Sequence, residues 1–292
     1  MSYYKVLGLA NEPFSTSPDP AFFYEARDHK AALYRLRIAL RLKRGLSLIL
    51  GDVGTGKTTL SRRLYQMLSK EPSCDFHILL NPVFKSEEEF LEKLMESFHI
   101  ELPQKPVSTV HYFDILEKNL FQRGVEEKKT IVLLIDEAQK LSKASLEILR
   151  TLLNYETNEH KILQLVLMAQ LELLPKISRL KNLWDRISLK YMLNPLGLEE
   201  MTELIDFRLR QAGYSAKRPL FTSEAMEEIH QCTQGYPRQV TLLCHNVLEK
   251  LVMENKEEVT RQIVQEMVFQ EERILNAAKE QEPVSEGEDG RR

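Results

Sequence analysis

Eight residues, Gly51-Asp52-Val53-Gly54-Thr55-Gly56-Lys57-Thr58, constrain this chain more than any others. They follow the apolar run Leu46 to Leu50 and precede a stretch with Leu60, Leu64 and Leu68 on one side of a helix. The order is strand, glycine loop, helix, and the spacing fits G-x-x-x-x-G-K-[ST] in the context which that pattern needs. Glycines let the backbone curl so that successive N–H groups converge. The helix that follows adds its positive end to the same spot. The ligand such a loop is shaped for is a polyphosphate. Residues 51–58, with Thr59 behind them, would wrap it. Lys57 would reach the β- and γ-phosphates, and the Thr58 hydroxyl would hold Mg²⁺.

A second element supports the first. Ile131-Val132-Leu133-Leu134-Ile135-Asp136-Glu137 is a five-residue apolar run ending in two acids. Such a run reads as a central strand buried on both faces. Its end places Asp136 to bind Mg²⁺ and Glu137 to polarise an attacking water. Further strands are expected at residues 76–80, 163–168 and 189–193. Helices lie between, including one capped by Ser86 with acids in its first turn and one over residues 108–124. This alternation predicts a doubly wound parallel sheet with right-handed crossovers. Ligand groups should then gather at the carboxyl ends of the strands. From Leu198 onward the pattern is helical throughout. The expected division is a sheet domain over residues 1–195, including the opening aromatic and proline-rich segment, a helical domain over 196–278, and a disordered acidic tail over 279–292.

Other residues are candidates by position. Gln170 ends a strand, where an amide can hold the attacking water and sense the γ-phosphate. Arg186, or Arg179 just before it, could enter a neighbouring subunit's site as an arginine finger; Arg186 is preferred. Arg238 opens a helix of the second domain, from which it could reach back to the γ-phosphate. His29 could bond near the nucleotide base or be structural. Arg37, Arg41 and Arg44, spaced i, i+4, i+7 on a helix expected over residues 28–44, form a basic stripe. The stripe is either a solvated face or a surface for a partner or for duplex DNA.

Composition narrows the class. Hydrophobic residues make up 43% and charged residues 28% of 292, as in a soluble globular protein. The net charge of −3 gives no global signal for nucleic acid. Cys74, Cys232 and Cys244 lack metal-ligand spacing and suit a reducing compartment. There is no apolar run of roughly 20 residues and no signal-peptide core, so a cytoplasmic location is expected. Any place at the inner membrane would come through a partner.

The chain resembles an AAA+ ATPase, and more narrowly the general secretion pathway protein A-type (ExeA-type) ATPases. The resemblance rests on Tyr4, Gly8-Leu9, Glu12-Pro13-Phe14 and Pro18-Asp19-Pro20 with His29. It rests also on Ala169-Gln170-Leu171-Glu172-Leu173, where that family has Gly-Gln-Pro-Glu-Leu, and on the stretch from Gly235-Tyr236-Pro237-Arg238 through Cys244. It implies a RecA-like P-loop core followed by an all-α lid, ATP with Mg²⁺ bound between them, and nucleotide-dependent homo-oligomers. Arg238 would be the sensor-two residue, Gln170 would sit at sensor one, and Arg186 would be the finger. The implied role is an assembly ATPase of a secretion or export system, working through a separate membrane protein. The membrane and peptidoglycan-binding segments of that family are not seen in this sequence. The module is similar also to the TnsC and MuB transposition regulators, which form ATP-dependent filaments on DNA. A nucleotide-gated scaffold with little turnover is the third reading.

Overall fold

The computed structural model describes residues 2–15, 20–105, 107–216 and 218–280. The Ser17-Pro18-Asp19 stretch and the acidic tail from residue 281 lie outside the described residues. The chain divides into two compact units, Glu25–Asn194 and a second made of Met1–Tyr24 with Pro195–Arg292.

The first unit is built on five parallel strands: β1 (Leu46–Gly51), β2 (Cys74–Leu79), β3 (Thr130–Ile135), β4 (Leu163–Ala169) and β5 (Ile187–Leu193). Their order across the sheet is β2-β3-β4-β1-β5. The doubly wound parallel fold read from the alternation is the one observed. Every residue of β1 and β4 is buried, and so is β3 apart from its first residue. Edge strand β5 alternates. The central strands are Leu-, Ile- and Val-rich because both faces are covered. Side chains alternate strictly. Leu46, Leu48, Leu50, Leu133, Leu165 and Leu167 face one layer with Phe90, Leu94, Leu116 and Leu149. Ile49, Val132, Leu134, Val166 and Met168 face the other, with Leu33, Leu36, Leu60 and Leu64.

Helices fill the crossovers. Ser86 Oγ accepts from the Glu89 N–H at 3.1 Å, starting the helix Glu87–Ser97 as its sequence predicts. The helix expected over residues 28–44 spans Arg27–Arg41. Lys43 takes a φ of 48° and Gly45 one of 87°, so Arg44 lies in the turn before β1. Arg37 and Arg41 share the helix, and Arg44 does not join their stripe.

The second unit packs the helices Leu198–Gln211, Ser223–Thr233, Pro237–Met253 and Arg261–Glu280. Ile205, Ile229, Val240, Leu243, Val247 and Ile263 are buried among them. Gly235, with φ 71°, lies so close to the chain that an added Cβ would sit 1.9 Å from Leu196 O. The opening segment, expected with the sheet, belongs to this unit instead. Ala10 donates to Ala212 O at 2.8 Å, the Phe14 ring meets Phe221 edge-on, and Tyr3 Oη lies 3.2 Å from His245 Nδ1. Its aromatics find ring partners there, Phe221 for Phe14 and His245 for Tyr3, and a short helix Tyr3–Val6 forms despite the prolines further on.

Candidate functional site

The carboxyl edge of the sheet holds the loop that leaves β1. Gly56 has a φ of 96°, and a Cβ on it would lie 2.6 Å from His29 Nε2, so the loop can pass beneath that ring only as glycine. His29 is buried, and Nε2 donates to Thr55 O at 3.0 Å. The ring braces the loop backbone. Thr55 Oγ1 donates back to Asp52 O at 2.9 Å. The helix Lys57–Leu68 then begins with no side chain capping its first turn. Its leading N–H groups are the donors that an anion would satisfy.

Lys57 Nζ donates to Gly51 O at 2.7 Å and to Asp52 O at 2.8 Å. Burial pulls the ammonium below its ordinary range, against the opposing pull of Glu137, Asp136 and Asp52. Asp136 follows β3 and is 3% exposed. Burial pushes its carboxyl up, although Thr58 and the Glu137 N–H both bond the ionised form. Thr58 Oγ1 donates to Asp136 Oδ2 at 3.0 Å, and Glu137 N to Asp136 Oδ1 at 3.0 Å. A hydroxyl and a carboxylate are the hard oxygen donors that suit Mg²⁺ held mainly by phosphates and water. Among the described residues no cluster of His, Cys, Asp and Glu offers another metal site.

Glu137 stands in the left-handed region, with φ 56°. Its Oε2 accepts from Gln139 Nε2 at 2.8 Å and lies 3.7 Å from Lys140 Nζ. Gln170 follows β4, which runs between β1 and β3, so topology sets it between the loop and the Asp136-Glu137 pair. Its N–H donates to Gln139 Oε1 at 3.1 Å. Sequence reasoning passed over Gln139. An amide two residues beyond Glu137 carries no signal of burial until the fold puts β4 beside β3.

Two candidates, Arg186 and Arg179, lie elsewhere in this unit, and a third, Arg238, belongs to the other unit. Arg186 precedes β5, whose first residue pairs with Leu46, whereas the loop follows Gly51, which pairs with Leu193. The two ends are separated by a strand's length, about 20 Å at roughly 3.3 Å per residue. Arg186 Nη1 donates to Arg150 O at 3.0 Å. Arg179 is exposed after the helix Leu174–Ile177. Arg238 is exposed in the first turn of Pro237–Met253, in the second unit.

Comparison with known proteins agrees with this geometry. Residues 40–177 match the family model described as an AAA domain. The chain is 36% identical over 248 residues to general secretion pathway protein A of Aeromonas hydrophila, covering 84% of this chain and 44% of that protein. It therefore spans less than half of the relative's length. In fold it is similar to Cdc6p of Pyrobaculum aerophilum, with a TM-score of 0.64 at 15% identity over 86% of this chain and 69% of that one. It is similar also to a chain of the Drosophila ORC bound to DNA, with a TM-score of 0.61 at 19% identity over 89% and 66%. No described helix is long and apolar enough to cross a membrane.

Proposed function

Because the chain belongs to the AAA+ ATPases of the general secretion pathway protein A type, we propose that it binds ATP with Mg²⁺ at residues 51–59 and hydrolyses it, and that the nucleotide state controls self-assembly and partner binding. One observation carries the reading: the Thr58 hydroxyl and the Asp136 carboxylate, supplied by two different strand ends, meet at 3.0 Å beside the loop. Bound Mg²⁺ would neutralise charge on the β- and γ-phosphates.

The residues divide the work. Lys57 exchanges the Gly51 and Asp52 carbonyls for phosphate oxygens. Glu137 takes a proton from the attacking water. Gln170 orients that water. Arg186 lies a strand's length from its own loop, which favours action on a neighbouring copy's nucleotide over action on its own. Arg238 is the sensor on the second unit, and R238A should weaken the difference between ATP and ADP affinity. In its wider role the protein acts as an assembly ATPase for a secretion or export machine, held at the inner membrane by a separate protein. The named relative supports that role.

K57A should abolish Mg²⁺-dependent turnover; a parent that hydrolyses ATP above background and a K57A variant that matches it would sink the site. A parent that binds ATP but itself stays at background turnover would instead indicate a nucleotide-gated scaffold. R186A should lose about 10³-fold in rate. Mixed with K57A copies, it should regain turnover, because one copy supplies the finger and the other the intact loop. No recovery on mixing would remove Arg186 from the role.

A second reading, a DNA-binding regulator of the TnsC and MuB kind, is favoured by one feature. Arg37, Arg63 and Lys70 line a single open cleft of about 660 Å³. Arg63 is paired with Glu25 at 2.7 Å, and Glu71 also lines the cleft, so the positive charge there is partly spent. ATP-dependent binding of E137Q to duplex DNA that falls steeply with salt, and that R37A with R41A removes, would favour this reading over secretion.

A further inference from the structure

Gln139 is 5% exposed, and both ends of its amide are engaged. Oε1 accepts the Gln170 N–H at 3.1 Å, and Nε2 donates to Glu137 Oε2 at 2.8 Å. The orientation is fixed by chemistry. A backbone N–H can only donate and a carboxylate can only accept, so a flipped amide would lose both bonds. The main chain is tied too, since Lys176 Nζ donates to Gln139 O at 2.6 Å. The left-handed Glu137 makes this possible. With φ at 56° the chain doubles back into the turn Ala138–Lys140, and a side chain two residues on faces the carboxylate. Such a backbone costs of order 1 kcal/mol for a non-glycine residue, which marks a feature the surroundings impose.

We infer that Gln139 is the positioning residue of the hydrolytic site: it holds the Glu137 carboxylate in register with the backbone of Gln170. This rests on the proposed role of Glu137 as the base. The end of β3 and the end of β4 are thereby joined by one buried side chain. A displacement at Gln170 on sensing the γ-phosphate reaches Glu137 through that amide, without a contact between Gln170 and Glu137 themselves. Gln139 touches neither phosphate nor water; it acts through the carboxylate.

The test is a double-mutant cycle in single-turnover ATP hydrolysis. Q139M keeps the length and apolar volume of the side chain and removes both bonds. It should lower the hydrolysis rate about tenfold while nucleotide affinity stays within about twofold. Q139H, which offers one N–H and one lone pair, should recover part of the loss. In an E137Q background Q139M should change the rate by less than about twofold, because the group it positions is already gone. An equal loss in both backgrounds, or a loss of nucleotide affinity matching the loss of rate, would make Gln139 a packing residue and overturn the inference. Should Q139M not fold, Q139L, which also removes both bonds, carries the same cycle. Failure of the underlying reading looks different: E137Q would then turn over like the parent.

Discussion

The two edges of one sheet treat buried charge in opposite ways. At the amino edge, the half-buried Asp75, second residue of β2, has His77 Nε2 at 3.0 Å and Arg123 Nη1 at 3.0 Å. The His77 ring, ahead of Arg123 and against the cost of burial, holds its carboxyl down at about 2. At the carboxyl edge Asp136 is pushed up and Lys57 is pulled down, both chiefly by burial. Each is displaced against its own ionisation. Charge at the first edge is answered within the fold and serves stability. Charge at the second edge is poorly answered there, and a ligand carrying phosphate and a divalent cation would answer it. Left-handed residues do not follow this division: Lys43 and Lys128 precede β1 and β3 at the first edge, and Asn81 and Glu137 follow β2 and β3 at the second.

Substitutions can break this contrast, and the largest effect belongs to the carboxyl edge. E137Q should keep nucleotide affinity and lose about 10²-fold or more in turnover, the usual range for a general base. Parent-like turnover in that variant would remove the acid from the chemistry. D136N should abolish Mg²⁺-dependent nucleotide binding and yet raise the melting temperature of the nucleotide-free protein. The sign follows from linkage: a carboxyl titrating higher in the fold than in the unfolded chain loses stability as pH rises through its folded range. The gain from D136N should therefore be greatest near pH 8 and fade toward pH 4. A loss of stability at pH 8 would show that the Thr58 bond outweighs burial.

The smallest effect lies at the other edge. Asp75 titrates lower in the fold than its ordinary 3.8, so its contribution is present above pH 4 and is lost as pH falls toward 2. D75N should cost about 1–2 kcal/mol at neutral pH, allowing for partial exposure, with turnover unchanged. The difference from the parent should vanish in acid. Chemical denaturation at pH 7 and near pH 2 checks both the size and the sign.

What the sequence made legible was local. The loop, the strand ends at Asp136 and Gln170, and the Ser86 cap are each set by a few neighbouring residues and a fixed spacing. Strand order then brought Gln170 between the other two, as a parallel sheet with the loop after β1 allows. The misses depended on distant partners or on one dihedral. Lys43 turning left-handed took Arg44 off its helix, and Gly45 just after it was the available sign. The opening segment precedes the sheet in sequence and is expected with it. The partners of Ala10, Phe14 and Tyr3, which are Ala212, Phe221 and His245, come roughly two hundred residues later. Gln139 was invisible because its burial depends on β4 lying beside β3.

The discontinuous second unit has a consequence for the order of synthesis. Tyr3 and its partner His245 are 242 positions apart. At ribosomal rates of about 5–20 residues per second, tens of seconds pass between the two. The whole sheet unit, residues 25–194, is translated in that interval and can close on itself. Leu9 and Phe14, buried in the finished fold, belong to a unit that is completed only when the helices beyond Pro195 emerge. Residues made before the sheet unit are thus packed after it. A chaperone that shields short aromatic segments on nascent chains would meet this segment before the glycine loop has a fold to sit in.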